Sequence, residues 1–215
     1  MRLQLGERVE KKEPSTPPEG WQAIESRILK GGYWLAALIG LAVMIGLWVV
    51  LGIWESAVGN RGGLATAEMS QYPWVIMAVI LILFIPLHES IHLLGQPGWG
   101  FSERSVVVLW PAKLRFGVYY EGVMSRRRWL AMRLAPLVIL SLLPTVILAL
   151  LQFFNLMVDL ELSLSILMIL NSLGSGADIL AVLAVLFQVP RRGRLCFQDG
   201  RGYWREGIDP EAGAA

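Results

Sequence analysis

PWVIMAVILILFIPLHESIHLLG, residues 73 to 95, is almost uninterruptedly apolar until its last turns, where it carries His88-Glu89-Ser90-Ile91-His92. A helix of this length rises about 30 Å or slightly more, enough to cross the hydrocarbon core of a bilayer. Positions i and i+4 share one helical face, so both imidazoles can reach one metal ion while the intervening Glu89 is held beside the ion's water. The chain has no other histidine. A histidine pair satisfied by neighbouring polar groups is the bland alternative. At membrane depth, however, two imidazoles and a carboxylate are costly unless they serve a site or a polar cavity.

Outward from this segment, 55% apolar content across 215 residues and a mean hydropathy of +0.54 describe a membrane protein. Four stretches have spanning length: 33–54, 73–95, 129–151 and 164–187. The expected fold is therefore an all-α membrane protein of four transmembrane helices. The first span follows some thirty polar and proline-containing residues with no short apolar region and cleavage site, so it reads as retained. Lys and Arg outside the spans number six before the first, one between the first two, six before the third, none before the fourth and five after it. By the positive-inside rule both termini and the 96–128 loop are cytoplasmic, and the segments around Arg61 and Asp159 face the other side. The domain layout expected is a tail over 1–32, a membrane domain over 33–189 and a tail over 190–215, with Pro14–Pro18 and Pro190–Arg194 as linkers and 211–215 as a frayed end. The net charge of +2 is segregated by side rather than gathered in a stripe, so no nucleic-acid partner is expected. Arg126-Arg127-Arg128 reads as a topology and headgroup signal.

A catalytic zinc takes three protein ligands and a water, which leaves one ligand to find. His88 lies about 12 Å before the cytoplasmic end of its helix, and Asp178 about 15 Å before the end of the fourth. Asp159, Glu161, Glu55 and Glu68 sit at the opposite side. Asp178 is thus the acid at matching depth and the expected third metal ligand. Asn171, Ser175 and Asp178 follow at spacings of four and three, on one face expected to point at the second helix. Asn171 and Ser175 are candidates to hydrogen-bond a ligand or a substrate carbonyl, and Gly174 and Gly176 would permit close helix approach. With zinc acidifying a water and polarising a carbonyl, Glu89 is the candidate catalytic acid/base. Ser90 has no independent base and is an unlikely nucleophile.

Between the second and third spans the pattern changes. Ser105–Trp110 and Leu114–Tyr120 are β-branched and aromatic, separated by Pro111-Ala112-Lys113, and predict a β-hairpin within 101–123. Gln96-Pro97-Gly98-Trp99-Gly100 ends the motif helix with strong breakers. An exposed strand edge there would suit β-augmentation by an unwound peptide; a purely structural, interfacial hairpin is the equal alternative. Trp110, Tyr119 and Tyr120 suit an interface either way. Pro136 and Pro144 predict kinks in the third span. Trp34, Trp48 and Trp54 read as packing and interface anchors, and Cys196 as an ordinary free thiol.

His88-Glu-Ser-Ile-His92 in an early span, the strand-like loop, Ser125-Arg-Arg-Arg-Trp-Leu with Leu134-Ala-Pro136 opening the next span, and Asn171 through Asp178 in the last resemble the zincin-peptidase family of small bacterial membrane proteins. That family is similar in layout to the site-2 protease group of intramembrane zinc proteases. The resemblance covers residues 70 to 190. It implies zinc held by His88, His92 and Asp178, Glu89 as catalytic acid/base, and a bacterial inner-membrane location. The late helix departs from the group's Asn-Pro-x-Asp-Gly type motif, having Asn171-Ser-Leu-Gly-Ser-Gly-Ala-Asp178, which leaves Asn171's role open.

The expected function is hydrolysis of membrane-associated or transmembrane peptide substrates near the cytoplasmic leaflet, with the lipid bilayer as surroundings. Two alternatives stand beside it. A non-proteolytic zinc-binding scaffold or regulator needs ligands but no base at Glu89, and closed structural sites fill all four positions with protein. A proton or metal-ion transporter should show polar residues at several depths, whereas here they cluster at one.

Overall fold

A computed structural model describes residues 1–5, 19–24, 32–58, 73–110, 115–154, 156, 160–198 and 201–207. Residues 111–114, Arg61, Glu68, Asp159, the stretch Pro14–Pro18 expected as a linker and residues 211–215 lie outside them. The chain forms two compact units, one of residues 31–88 and 134–180 and the other of 1–30, 89–133 and 181–215.

The first unit is helical. It holds α1 (Gly32–Val58), α2 (Pro73–Gly95) as far as His88, the end of α3 (Arg126–Leu137), a π-helical turn (Val138–Leu142), α4 (Leu143–Phe153), α5 (Leu160–Gly174) and the start of α6 (Gly176–Gln188). Leu51, Leu148 and Met168 form its buried apolar core, and Trp54 Nε1 donates to the Ala149 carbonyl at 2.8 Å. Its outer surface is apolar too: Trp34, Leu38, Ile45, Val50 and Ile53 of α1 and Ile82 and Leu83 of α2 are exposed. An apolar exposed surface of this extent is compatible with a membrane protein. Three helical stretches, Gly32–Val58, Ala78–Gly95 and Arg126–Phe153, are long and apolar enough to cross a membrane. Ser163–Gly174 and Gly176–Gln188 make a fourth if counted together, but they are bent by 44° at Ser175. The fourth stretch is therefore broken, where one continuous helix was expected, because glycines on both sides of Ser175 weaken the helix there. Pro136 and Pro144, expected to kink the third span, flank a π-helical turn.

The two glycines expected to permit close helix approach meet different helices. Gly174 meets Phe84 of α2, whereas Gly176 meets the Ala36 carbonyl and the Gly40 nitrogen of α1. Gly40 in turn packs on the Leu173 and Ser172 backbone.

The second unit contains strands, so the fold is mostly helical with two small sheets rather than all-α. In one sheet the order is β1 (Arg2–Leu5), β3 (Ser105–Trp110), β4 (Arg115–Tyr120). β3 and β4 pair antiparallel from Ser105↔Tyr120 to Trp110↔Arg115. β1 adds parallel to β3 and is clamped by an Arg2–Glu121 ion pair and by Arg2 Nε donating to the Glu103 carbonyl at 3.1 Å. The other sheet runs β2 (Gln22–Ala23), β7 (Arg201–Arg205), β6 (Arg194–Gln198), β5 (Met124–Ser125). Both terminal segments, expected as tails, thus supply strands. Cys196 lies in β6, where burial pushes its thiol pKa up and the Arg205 guanidinium partly opposes the shift.

Two of the three clustered arginines do local work. Arg128 donates to the Gly95 and Gln96 carbonyls at 3.2 and 2.9 Å, and Arg126 to the Leu186 carbonyl at 3.1 Å. They satisfy carbonyls left over at the ends of α2 and α6.

Candidate metal centre

α2 carries His88 and His92 one turn apart, both buried. At His88 the tautomer is dictated by its neighbours. Asn171, fully buried on α5, donates from Nδ2 to the Pro136 carbonyl at 2.9 Å and to Ser141 Oγ at 2.8 Å. A carbonyl can only accept, so the amide's nitrogen end is fixed and Oδ1 turns to the imidazole. His88 Nδ1 lies 2.8 Å from that oxygen and must therefore carry the proton and donate. In the neutral ring its Nε2 carries the lone pair, 3.1 Å from Asp178 Oδ2. That contact is closed either by a proton on Nε2, which makes an ion pair with Asp178, or by a cation that both atoms hold. Asp178 belongs to the first turn of α6, where exposed backbone N–H groups favour a carboxylate.

The same logic applies one turn along. His92 Nδ1 donates to the Met132 carbonyl at 2.9 Å, which again leaves the lone pair on Nε2. The approach depends on Gly95, where a Cβ would press on the Met132 side chain and backbone. The ligand atoms of His88, His92 and Asp178 all lie within 4.8 Å of one another. Ligand atoms about 2.0–2.1 Å from one ion, in tetrahedral array, stand about 3.3 Å apart. The 3.1 Å His88–Asp178 separation and the nitrogen-nitrogen-oxygen donor set fit zinc.

Glu89 is partly buried, and its Oε2 accepts the Val118 N–H of β4 at 3.1 Å. Ser175, grouped with Asn171 and Asp178 by spacing, sits at the helix break; its hydroxyl is buried and makes no hydrogen bond among the described residues. Three contributors escaped sequence reasoning because they are backbone groups: the Met132 and Pro136 carbonyls and the Val118 N–H. Ser141 is a fourth, joined to Ser172 Oγ at 3.1 Å as well as to Asn171. Its trace in the sequence is a lone serine between two prolines of an apolar span.

The model of a family described as "Putative zincin peptidase" matches residues 81–193, just over half of the chain. The chain belongs to that family. The matched stretch includes every residue named in this centre. Comparison with curated proteins and with solved structures returned no match. Zincin-peptidase membership implies a zinc-dependent peptidase, and the donor set above agrees with it.

For this family member, Asn171→Ala is expected to weaken zinc binding about 10–100-fold, because His88 loses the acceptor that holds its tautomer and ring plane. Competition with a chromogenic chelator measures this directly. Unchanged affinity would remove Asn171 from the account.

Proposed function

We propose that this chain is an intramembrane zinc metalloprotease of the site-2 type, cleaving membrane-associated or transmembrane peptides near the cytoplasmic leaflet. The observation that carries the reading is the pair of imidazoles whose Nδ1 protons are both committed to fixed acceptors, with a carboxylate 3.1 Å from one Nε2. His88, His92 and Asp178 would hold the metal, a three-ligand set of the kind found in catalytic rather than structural sites. Bound zinc supplies a Lewis acid that acidifies water and polarises the scissile carbonyl. Glu89 takes the proton of the attacking water and returns it to the leaving amine, so that water is added across the amide. The Val118 N–H holds one carboxylate oxygen and steers the other.

That hydrogen bond also supports a site for substrate. β4 is an outer strand of its sheet, order β1-β3-β4, so a peptide added to its edge would run beside Glu89. Helices unwind at such an edge because strand pairing replaces the backbone hydrogen bonds they lose. Lys/Arg segregation supports an inner-membrane location with both termini cytoplasmic.

The test is cleavage of a model transmembrane peptide by detergent-purified protein. Activity should stop with a zinc chelator and return on adding zinc. Cleavage indifferent to the chelator, or confined to soluble peptides, would contradict the reading.

A further inference from the structure

Both imidazoles trace back to one residue. His92 donates to the carbonyl of Met132, and His88 donates to Asn171, which donates to the carbonyl of Pro136. Met132 and Pro136 are four apart on α3, and Pro136 lies inside that helix. In an α-helix the carbonyl of residue i accepts the N–H of residue i+4. Met132's partner should thus be residue 136, the one residue type with no N–H to give. The proline ring also crowds the carbonyl four residues back and tilts it out of the helix. A helix-interior carbonyl that would otherwise be consumed is turned outward, and His92 Nδ1–H uses it. Pro136's own carbonyl is likewise spent outside the helix, on Asn171 Nδ2, with Ser141 of the π-helical turn taking the amide's second hydrogen.

We infer that Pro136 is a positioning residue for the metal centre: its missing N–H leaves the Met132 carbonyl to fix His92, and its carbonyl anchors the Asn171 amide that fixes His88. The inference rests on the metal-ligand part of the proposed function, but its geometric content is independent of any bound ion. The proline-specific part is the Met132 carbonyl, which sets His92; the carbonyl at 136, which any residue would supply, anchors Asn171 and through it His88. Asn171 alone sets only His88. Pro144, in the first turn of α4, also lacks an N–H, but the carbonyl four residues back belongs to Leu140, which is not part of the hydrogen bonds described for the centre.

The chain's two histidines make the test direct, since labelling with 15N-histidine yields only two imidazoles. In metal-free protein in detergent, wild type should show both rings as the Nδ1–H tautomer, which is the minor form of the free neutral histidine side chain. Pro136→Ala restores an N–H at 136 and should release one ring, His92, from that tautomer. It should also lower zinc affinity about 10–100-fold in chelator competition, as loss of a ligand's orienting partner does. Pro136→Ala improves helix propensity, so its secondary structure should be retained. Pro144→Ala is the comparison and should leave both rings and the affinity unchanged. Wild-type rings in the Nε2–H form would overturn the inference whatever the variants do. So would a Pro136→Ala protein with unaltered tautomers or affinity, or a Pro144→Ala protein altered to the same degree. If wild type shows both Nδ1–H rings yet binds no zinc, the proposed function fails while the positioning role of Pro136 is still decided by the spectra.

Discussion

Glu89→Gln should bind zinc as wild type does and lose peptide hydrolysis by about 10²–10⁴-fold, the usual contribution of a positioned acid/base. The substitution is nearly isosteric. A glutamine Oε1 can still accept the Val118 N–H, so the side chain keeps its place against β4. The ligands at 88, 92 and 178 are untouched. What disappears is the capacity to take a proton from water and hand it to the leaving amine. The effect should therefore fall on kcat rather than KM. Single-turnover cleavage of a transmembrane peptide, with elemental analysis of the same preparation, measures both halves. A variant that cleaves at the wild-type rate would place the base elsewhere, and one that loses its metal would show Glu89 to be part of the binding shell.

Gly176→Val should be the most damaging substitution away from the centre. Any Cβ at this position meets the Ala36 carbonyl and the Gly40 nitrogen, and backbone cannot rotate aside as a side chain can. Overpacking typically costs about 1–3 kcal/mol, and a collision with backbone belongs at or beyond the upper end. The strain has two outlets: α1 is pushed from α5 and α6, or the bend at Ser175 opens. The second displaces Asp178, two residues on. Thermal unfolding in detergent should show a markedly lower midpoint for Gly176→Val. Gly46 and Gly52 of α1 face open space, so alanine at either should leave the midpoint unchanged. Equal midpoints for all three variants would refute the close-approach account.

The centre was legible in the sequence to an unequal degree. The histidines announce themselves because their spacing is that of one helical turn. Asp178 could be matched to them by depth because ionisable groups in apolar spans are rare and two spans running the same way share a ruler. The β3–β4 pairing was legible because its residues are β-branched and aromatic over two short runs. The grouping of Ser175 with Asn171 and Asp178 assumed an unbroken helix, and the 44° bend removed that premise. Gly174 and Gly176 signalled a close approach but not which neighbour would make it, since that depends on tertiary packing.

Other features leave faint traces. The parallel pairing of Arg2–Leu5 with Val106–Leu109 joins segments a hundred residues apart, and nothing local to a four-residue strand foretells its partner. The β6–β7 pair was readable in principle: Leu195, Phe197, Tyr203 and Trp204 flank Asp199-Gly200, a strong hairpin dipeptide. Its position after the last span gives it the look of a tail. The orienting carbonyls of Met132 and Pro136 have no side-chain signature, and only the proline in the middle of an apolar span hints at them. Arginines ahead of a span satisfy a topology rule so well that their second use, capping the ends of α2 and α6, was invisible beforehand.

The central claim is that His88, His92 and Asp178 hold one catalytic zinc, and metal content by elemental analysis of detergent-purified protein tests it most directly. Wild type should carry about one zinc per chain, as three-ligand catalytic sites do, and His88→Ala and Asp178→Ala should carry essentially none. Wild-type protein that purifies without metal and takes up none from a zinc-buffered solution would contradict it.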